Sequence, residues 1–155
     1  MNPTEISAPS GTPFLDVVRE FAAPPAAVFR AHVDPELFAR WTGPRSMQLE
    51  SVDLNPIPGG RWQFTFRAGG PEQFGFFGVF HAVETNQRIV QTFEFSMAPG
   101  QVGISTTTFT DLGGRTRLAL HEVYPSVEAR DAALQSGMEY GIREGYERLD
   151  EVLTA

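Results

Sequence analysis

No proline interrupts the chain after Pro125. That open stretch limits the possible folds more than any other feature. Ser126 is a good N-cap and Glu128 suits the first turn of a helix. Leu134, Met138, Ile142, Tyr146, Leu149 and Leu153 then recur at helical spacing. The spacing predicts one amphipathic helix of about 28 residues, roughly 40 Å long at 1.5 Å per residue. Such a helix can cross a whole sheet. It carries Arg143, Glu144, Glu147, Arg148, Asp150 and Glu151 and is no membrane span.

The preceding residues supply the sheet. Phe14 to Phe21 reads as a first strand, ended by Ala22-Ala23-Pro24-Pro25. Pro24 and Pro25 can open a short helix, with Val28, Phe29 and His32 on its faces. Asp34 is an N-cap and Pro35 a first helical residue, so a second short helix runs through Leu37, Phe38 and Trp41 to Gly43-Pro44. From Met47 the period becomes two. Met47, Leu49, Val52 and Leu54 suggest a strand with an irregularity near Ser51. Trp62, Phe64 and Phe66 alternate against Gln63 and Thr65. Ala68 to Pro71 is a turn. Phe74 to Val83 is a strand apolar on both faces, where Gly75 and Gly78 suggest a bulge or a close backbone approach. Ile89–Phe95, Val102–Thr110 and Arg115–Tyr124 complete the meander, with a hairpin signal at Asp111-Leu112-Gly113-Gly114. Short turns between strands imply antiparallel pairing. The order predicts an α+β fold: a curved antiparallel sheet of about seven strands and a long C-terminal helix on one face, with two short helices after the first strand. Residues 1–12 are polar with Pro and Gly and read as a flexible tail, leaving 13–155 as a single domain.

With 12 Lys and Arg against 19 Asp and Glu, the net charge of −7 argues against a nucleic-acid or anionic-membrane partner. The absence of cysteine excludes disulfides, thiolate nucleophiles and Cys-ligated metals. The N-terminus lacks the basic start and apolar stretch of a signal peptide, so a cytoplasmic location is expected.

The segment FAAPPAAVFRAHVDPELFARWTGP resembles the opening motif of the START-like (SRPBCC) superfamily. Within it, the chain is most similar to the family named for the activator of the heat-shock protein 90 ATPase. The likeness runs on through IPGGRWQF, FGVFHAVETNQRIVQTFEF, DLGGRTRLAL and the terminal helix, over roughly residues 14–153. The resemblance implies the helix-grip fold, in which an antiparallel sheet wraps a long C-terminal helix, often with a cavity between them. The superfamily includes lipid and hormone carriers, aromatase/cyclase enzymes and co-chaperone domains. It shares no catalytic set that transfers to this chain.

Residues 63–80 hold six of the thirteen phenylalanines. Alternate rings on a curved sheet can be plain core, each worth roughly 1.5–3 kcal/mol when buried. Two features point to a cavity as well. The ring supply is redundant over three successive strands. Gly137, Gly141 and Gly145 also fall on one stripe of the long helix, each costing about 1 kcal/mol relative to Ala. Missing side chains opposite large rings leave either close backbone contact or empty volume. The expectation is that Trp62, Phe64, Phe66, Phe93, Phe95, Leu118, Leu120, Met138 and Ile142 surround an apolar cavity. Phe38 and Trp41 lie near its mouth, and Gln91 offers one hydrogen bond inside. Loops at Gly69-Gly70 and Met97–Gln101 would gate it.

Candidate chemistry is sparse. His32, His81 and His121 share no ligand spacing, so neither a metal site nor a cofactor is expected. No GxSxG elbow occurs. The glycine pairs sit in hairpin turns rather than phosphate loops. Glu94, His121 and Glu122 interrupt apolar strands and are expected on the outer, wet face. A carboxylate turned inward would have a raised pKa and could serve as general acid or base. The favoured reading is a binder of a small apolar or amphipathic molecule, monomeric or homodimeric and not catalytic. An enzyme of cyclase or hydrolase type in the same cavity is the first alternative. A protein-interaction module is the second.

Overall fold

The computed structural model describes residues 3–67 and 69–155. Met1 and Asn2 of the expected tail and Ala68 of an expected turn lie outside the described residues. The strands are β1 (Glu5–Ser7), β2 (Phe14–Phe21), β3 (Gln48–Leu54), β4 (Arg61–Arg67), β5 (Gln73–Glu84), β6 (Arg88–Phe95), β7 (Gly103–Asp111) and β8 (Thr116–Val123). They form one antiparallel sheet in the order β1-β2-β8-β7-β6-β5-β4-β3. Helices α1 (Pro25–Val33) and α2 (Pro35–Trp41) carry the chain from β2 to the far edge at β3. Helices α3 (Val127–Gln135) and α4 (Met138–Thr154) follow the last strand.

The punctuation acts as its chemistry requires. Asp34 Oδ1 accepts from the backbone N–H of Glu36 at 2.9 Å and of Leu37 at 3.3 Å, capping α2. Ser126 Oγ does the same for Ala129 at 3.0 Å in α3. The irregularity near Ser51 is a register shift between Leu49 and Ser51. A second shift lies between Phe80 and Ala82, at His81. Gly78 is a close approach: a Cβ there would sit 2.0 Å from the Thr92 carbonyl. The gap lets the Trp62 indole donate to that same carbonyl at 3.0 Å.

Three expectations need correcting. Glu5–Ser7 of the expected flexible tail instead pairs with β2, adding a short eighth strand at the edge of the expected sheet. Arg130 explains its order: 3% exposed, its Nη1 donates to the carbonyls of Pro9 and Phe14, both at 3.0 Å. The terminal helix is also not continuous. Gly137 has φ +86, the left-handed conformation that closes a helix, and it separates α3 from α4. Finally, the glycine stripe does not hollow the helix above the rings. Gly145 is buried, and a Cβ on it would lie 3.5 Å from the Trp41 carbonyl and 3.7 Å from the Gly43 nitrogen. A Cβ on Gly141 would meet Pro44 at 3.6 Å. These glycines let α4 seat on the end of α2, where Arg148 donates to the carbonyls of Arg40, Thr42 and Gly43.

Helix α4 is tied to the sheet by a buried cation. Arg19 on β2, 1% exposed, donates to the Tyr146 carbonyl at 3.1 Å and pairs with Asp150 at 2.9 Å. Leu15, Val17, Phe21, Leu118 and Leu149 are fully sealed around it.

Candidate functional site

Register decides what faces the helices. Leu15 on β2 lies opposite Glu122 on β8, Glu122 opposite Ser105 on β7, and Ser105 opposite Gln91 on β6. Side chains alternate along a strand, so residues two apart share a face. Leu118 is fully buried on the helix side, and Leu120 and Glu122 therefore point the same way. Gln91 shares this face with Ile89, Phe93 and Phe95. Phe95 stands opposite Phe76, and Phe76 opposite Phe64.

Along the strands this inner face divides in two. At one end Phe21, Arg19, Thr116, Leu118 and Phe109 are sealed beneath α1 and the C-terminal half of α4. At the other end Leu15, Ser105 and Phe66 are buried, but Leu120, Glu122, Gln91, Phe93, Phe95, Phe76, Phe74 and Phe64 are only half-buried, although they face inward. Leu134, Met138 and Ile142, on either side of the α3–α4 break, are half-buried and pack against the core. The rings form two groups, Phe64–Phe76–Phe95 and Phe93–Tyr124. Phe64 and Phe76 are 5.6 Å apart, Phe76 and Phe95 5.1 Å, and Phe93 and Tyr124 5.3 Å.

The expected lining residues therefore separate. Phe64, Gln91, Phe93, Phe95 and Leu120 are half-buried on the inner sheet face, and Met138 and Ile142 are half-buried on α4. Leu118, Trp62, Phe66 and Trp41 are built into the closed core. Trp41 stacks on Tyr146 at 5.9 Å and donates its indole N–H to the Ala31 carbonyl at 2.9 Å. Phe38 joins the two groups, 5.4 Å from both Trp41 and Phe64. Two open depressions mark the surface, and the second takes in Phe64, Phe74 and Phe76. One of about 450 Å³ lies among Pro25, the β5–β6 turn and the end of β7. One of about 220 Å³ lies around Gly75 on β4 and β5.

The polar groups expected on the wet face also separate. Glu94 pairs across from Phe77 on the outer face and accepts from the Gly100 N–H at 2.9 Å, bracing the 97–101 loop. His121 is also on the outer face, with Nδ1 2.6 Å from Asp16 and its ring beside Phe14. Glu122 corrects the expectation, because it points inward. Its Oε1 accepts from the Tyr124 hydroxyl at 3.0 Å, and that hydroxyl also lies 3.5 Å from Met138 Sδ. Burial raises the Glu122 carboxyl to about 7; the Tyr124 hydrogen bond and His121 offset only part of that. Burial and then the Glu122 charge push the Tyr124 phenol well above its ordinary range. Parity with Leu118 and Leu120 was the available signal for Glu122. Ser105, buried in a Thr-rich strand, had no comparable mark.

His32 is not a ligand either. Its Nδ1 lies 2.8 Å from the Val28 carbonyl, and its ring packs between Trp41 and Phe109 at 4.9 and 5.1 Å. Burial lowers its pKa to about 4. Among the described residues no group of three His, Cys, Asp or Glu side chains could hold a metal. Among the described residues no helix is long and apolar enough to cross a membrane.

A sheet gripping a C-terminal helical segment across one face, with two short helices after the first long strand, defines the helix-grip class of START-like proteins. The family profile described as "Activator of Hsp90 ATPase homolog 1-like protein" matches residues 22–154, and the chain belongs to that family. A crystal structure of a Rhodobacter sphaeroides protein superposes with a TM-score of 0.89 at 26% identity, over 98% of this chain and 99% of that one. Protein Ms6760 from Mycobacterium smegmatis gives 0.89 at 26% identity, over 99% and 98%. Protein CV1439 from Chromobacterium violaceum, at 22% identity, shares the fold with a TM-score of 0.79 over 92% and 98%. No functionally curated protein matches the chain in sequence.

Proposed function

We propose that the protein binds a small apolar or amphipathic molecule between the sheet and the α3–α4 joint. The observation that carries this reading is the uneven burial of one continuous face. The rings of Phe64, Phe76, Phe93 and Phe95 point toward the helices yet remain half-buried, whereas the same face is sealed at its other end. Enclosing an apolar molecule there removes both surfaces from water, worth about 25 cal/mol per Å². The 97–101 loop and the joint at Gly137 border the region and would govern access. Family membership and the helix-grip fold are consistent with such a role.

The test is titration with the neutral dye N-phenyl-1-naphthylamine, alongside native mass spectrometry of the purified protein. Saturable one-to-one enhancement is expected, with loss of binding in Leu120→Trp at unchanged circular dichroism. A dye response absent in the wild type, or untouched by Leu120→Trp, refutes the reading. A second reading, an enzyme of cyclase or hydrolase type, is favoured by one observation: the inward Glu122 with Tyr124 at 3.0 Å. Such an enzyme loses turnover in Glu122→Gln while dye binding persists.

A further inference from the structure

The carboxyl of Glu122 faces an apolar wall without a cation beside it. Its one direct protein partner among the described residues is the Tyr124 hydroxyl, a neutral donor. The neighbouring cations are engaged elsewhere. Arg19 on β2 is paired with Asp150, and Arg130 on α3 with Asp131 at 2.8 Å. His121 on the same strand is turned to the outer face toward Asp16. Helix α4 presents the Tyr146 phenol, which burial, and secondarily the Glu122 charge, push upward. Across the sheet the row continues into Ser105, 8% exposed, and Gln91, and neither side chain has a hydrogen-bond partner among the described residues. An ionised carboxylate in such a place needs either a proton or a cation.

We propose that the ligand of this cleft carries a protonated amine head on an apolar body, with the amine on Glu122 and its remaining N–H groups directed at Ser105 and Gln91. The inference rests on the binding role proposed above and narrows its ligand class. The exchange is balanced: the protonated carboxyl gives its proton to solvent as the ammonium arrives, and a carboxylate–ammonium pair replaces the neutral acid. A ligand with a carboxylate head meets like charge instead. An alcohol gains one hydrogen bond and releases no proton. The raised carboxyl, at about 7, sets the pH dependence. A simple alkylamine stays protonated up to about pH 10, like lysine. Between pH 5.5 and 8.5 the ionised fraction of Glu122 rises about thirtyfold, and amine affinity rises by up to that factor.

The experiment is displacement of N-phenyl-1-naphthylamine by octylamine, 1-octanol and octanoate at pH 5.5, 7 and 8.5, in wild type and Glu122→Gln. Octylamine is expected to displace best at pH 8.5 and to weaken steeply at pH 5.5. It should release up to one proton per molecule bound in weak buffer at pH 6. Glu122→Gln keeps the side-chain shape; with octylamine and octanol each scaled to the variant's own measured dye affinity, it should bring octylamine to the level of octanol with a flat pH profile. Tyr124→Phe should keep the amine preference, which separates charge recognition from general damage to the wall. Dye binding with no amine preference at pH 8.5, or a preference that survives Glu122→Gln, overturns this inference alone. Absence of any dye binding overturns it together with the binding role.

Discussion

Arg19 and Asp150 offer a sharp test of how α4 is held. The pair is asymmetric: Arg19 is 1% exposed and Asp150 25%. Arg19 Nε is buried without a partner, so the guanidinium is already short of acceptors. In Arg19→Met two hydrogen bonds to a charged group are lost, each worth about 1.5–3 kcal/mol. Against that, the unsatisfied Nε disappears, the apolar stem stays buried, and Asp150 turns to water. The net cost is about 1–2 kcal/mol. In Asp150→Ala the guanidinium is left in the interior with Nε and Nη2 both unpaired, a cost of about 3–5 kcal/mol. Asp150→Ala should therefore be the worse change. The double variant should be more stable than Asp150→Ala alone and close to Arg19→Met. Urea denaturation followed by the fluorescence of Trp41 and Trp62, both buried, measures this directly. At about 2–4 °C per kcal/mol for a chain of this size, melting should fall by roughly 10 °C in Asp150→Ala and roughly 4 °C in Arg19→Met. Equal losses, or a worse Arg19→Met, would refute the reasoning, because the guanidinium would then have found water or another acceptor.

The three glycines of the last segment should respond differently in the same assay. Gly141→Ala meets only Pro44 at 3.6 Å and gains helix propensity, so it should stabilise by about 0.5–1 kcal/mol. Gly137→Ala must adopt φ +86 and should cost about 1–2 kcal/mol. Gly145→Leu must push Trp41 and Gly43 aside and should cost more than about 2 kcal/mol. Two buried groups should act on stability with opposite signs over nearly the same pH window, so that between about pH 4.5 and 6.5 their slopes largely cancel. The Glu122 carboxyl is raised to about 7 in the folded state, so the fold binds more protons there than the unfolded chain. Its contribution is full below about 4.5 and lost as pH rises toward 7. The His32 imidazole is lowered to about 4, so its contribution is full above 6.5 and lost as pH falls toward 4. Each arm is of order 1–3 kcal/mol. Glu122→Gln should unmask the His32 slope, so that stability rises from about pH 4 to 6.5; a variant with the wild-type profile shows that Glu122 contributes nothing.

Much of this architecture follows from local chemistry. Pro25 and Pro35 start the two short helices because their missing N–H is no loss at a first turn, and Asp34 and Ser126 cap because their oxygens reach free amides. The alternation of Trp62, Phe64 and Phe66 needs only the period of a strand. Even the inward Glu122 was readable in principle, since it keeps step with Leu118 and Leu120. Other features depend on partners far along the chain. Arg130 orders the N-terminal residues through carbonyls 121 and 116 positions away, a contact with no local trace. The Gly137–Gly141–Gly145 stripe has one spacing but three meanings: a helix break, a contact with Pro44 and a buried seat against Trp41 and Gly43. Only the neighbouring surface tells them apart. The charge state of Glu122 belongs with these. A carboxyl's pKa is set by how much water and how many cations its fold leaves beside it, and no run of neighbouring residues encodes that. The residues alone thus determined the succession of elements from Phe14 onward, the turns and the alternation of aromatic residues along the strands. The tertiary structure decided which half of the inner face stays open and left an uncompensated acid on its wall, because burial and charge pairing are properties of residues brought together from different strands and helices.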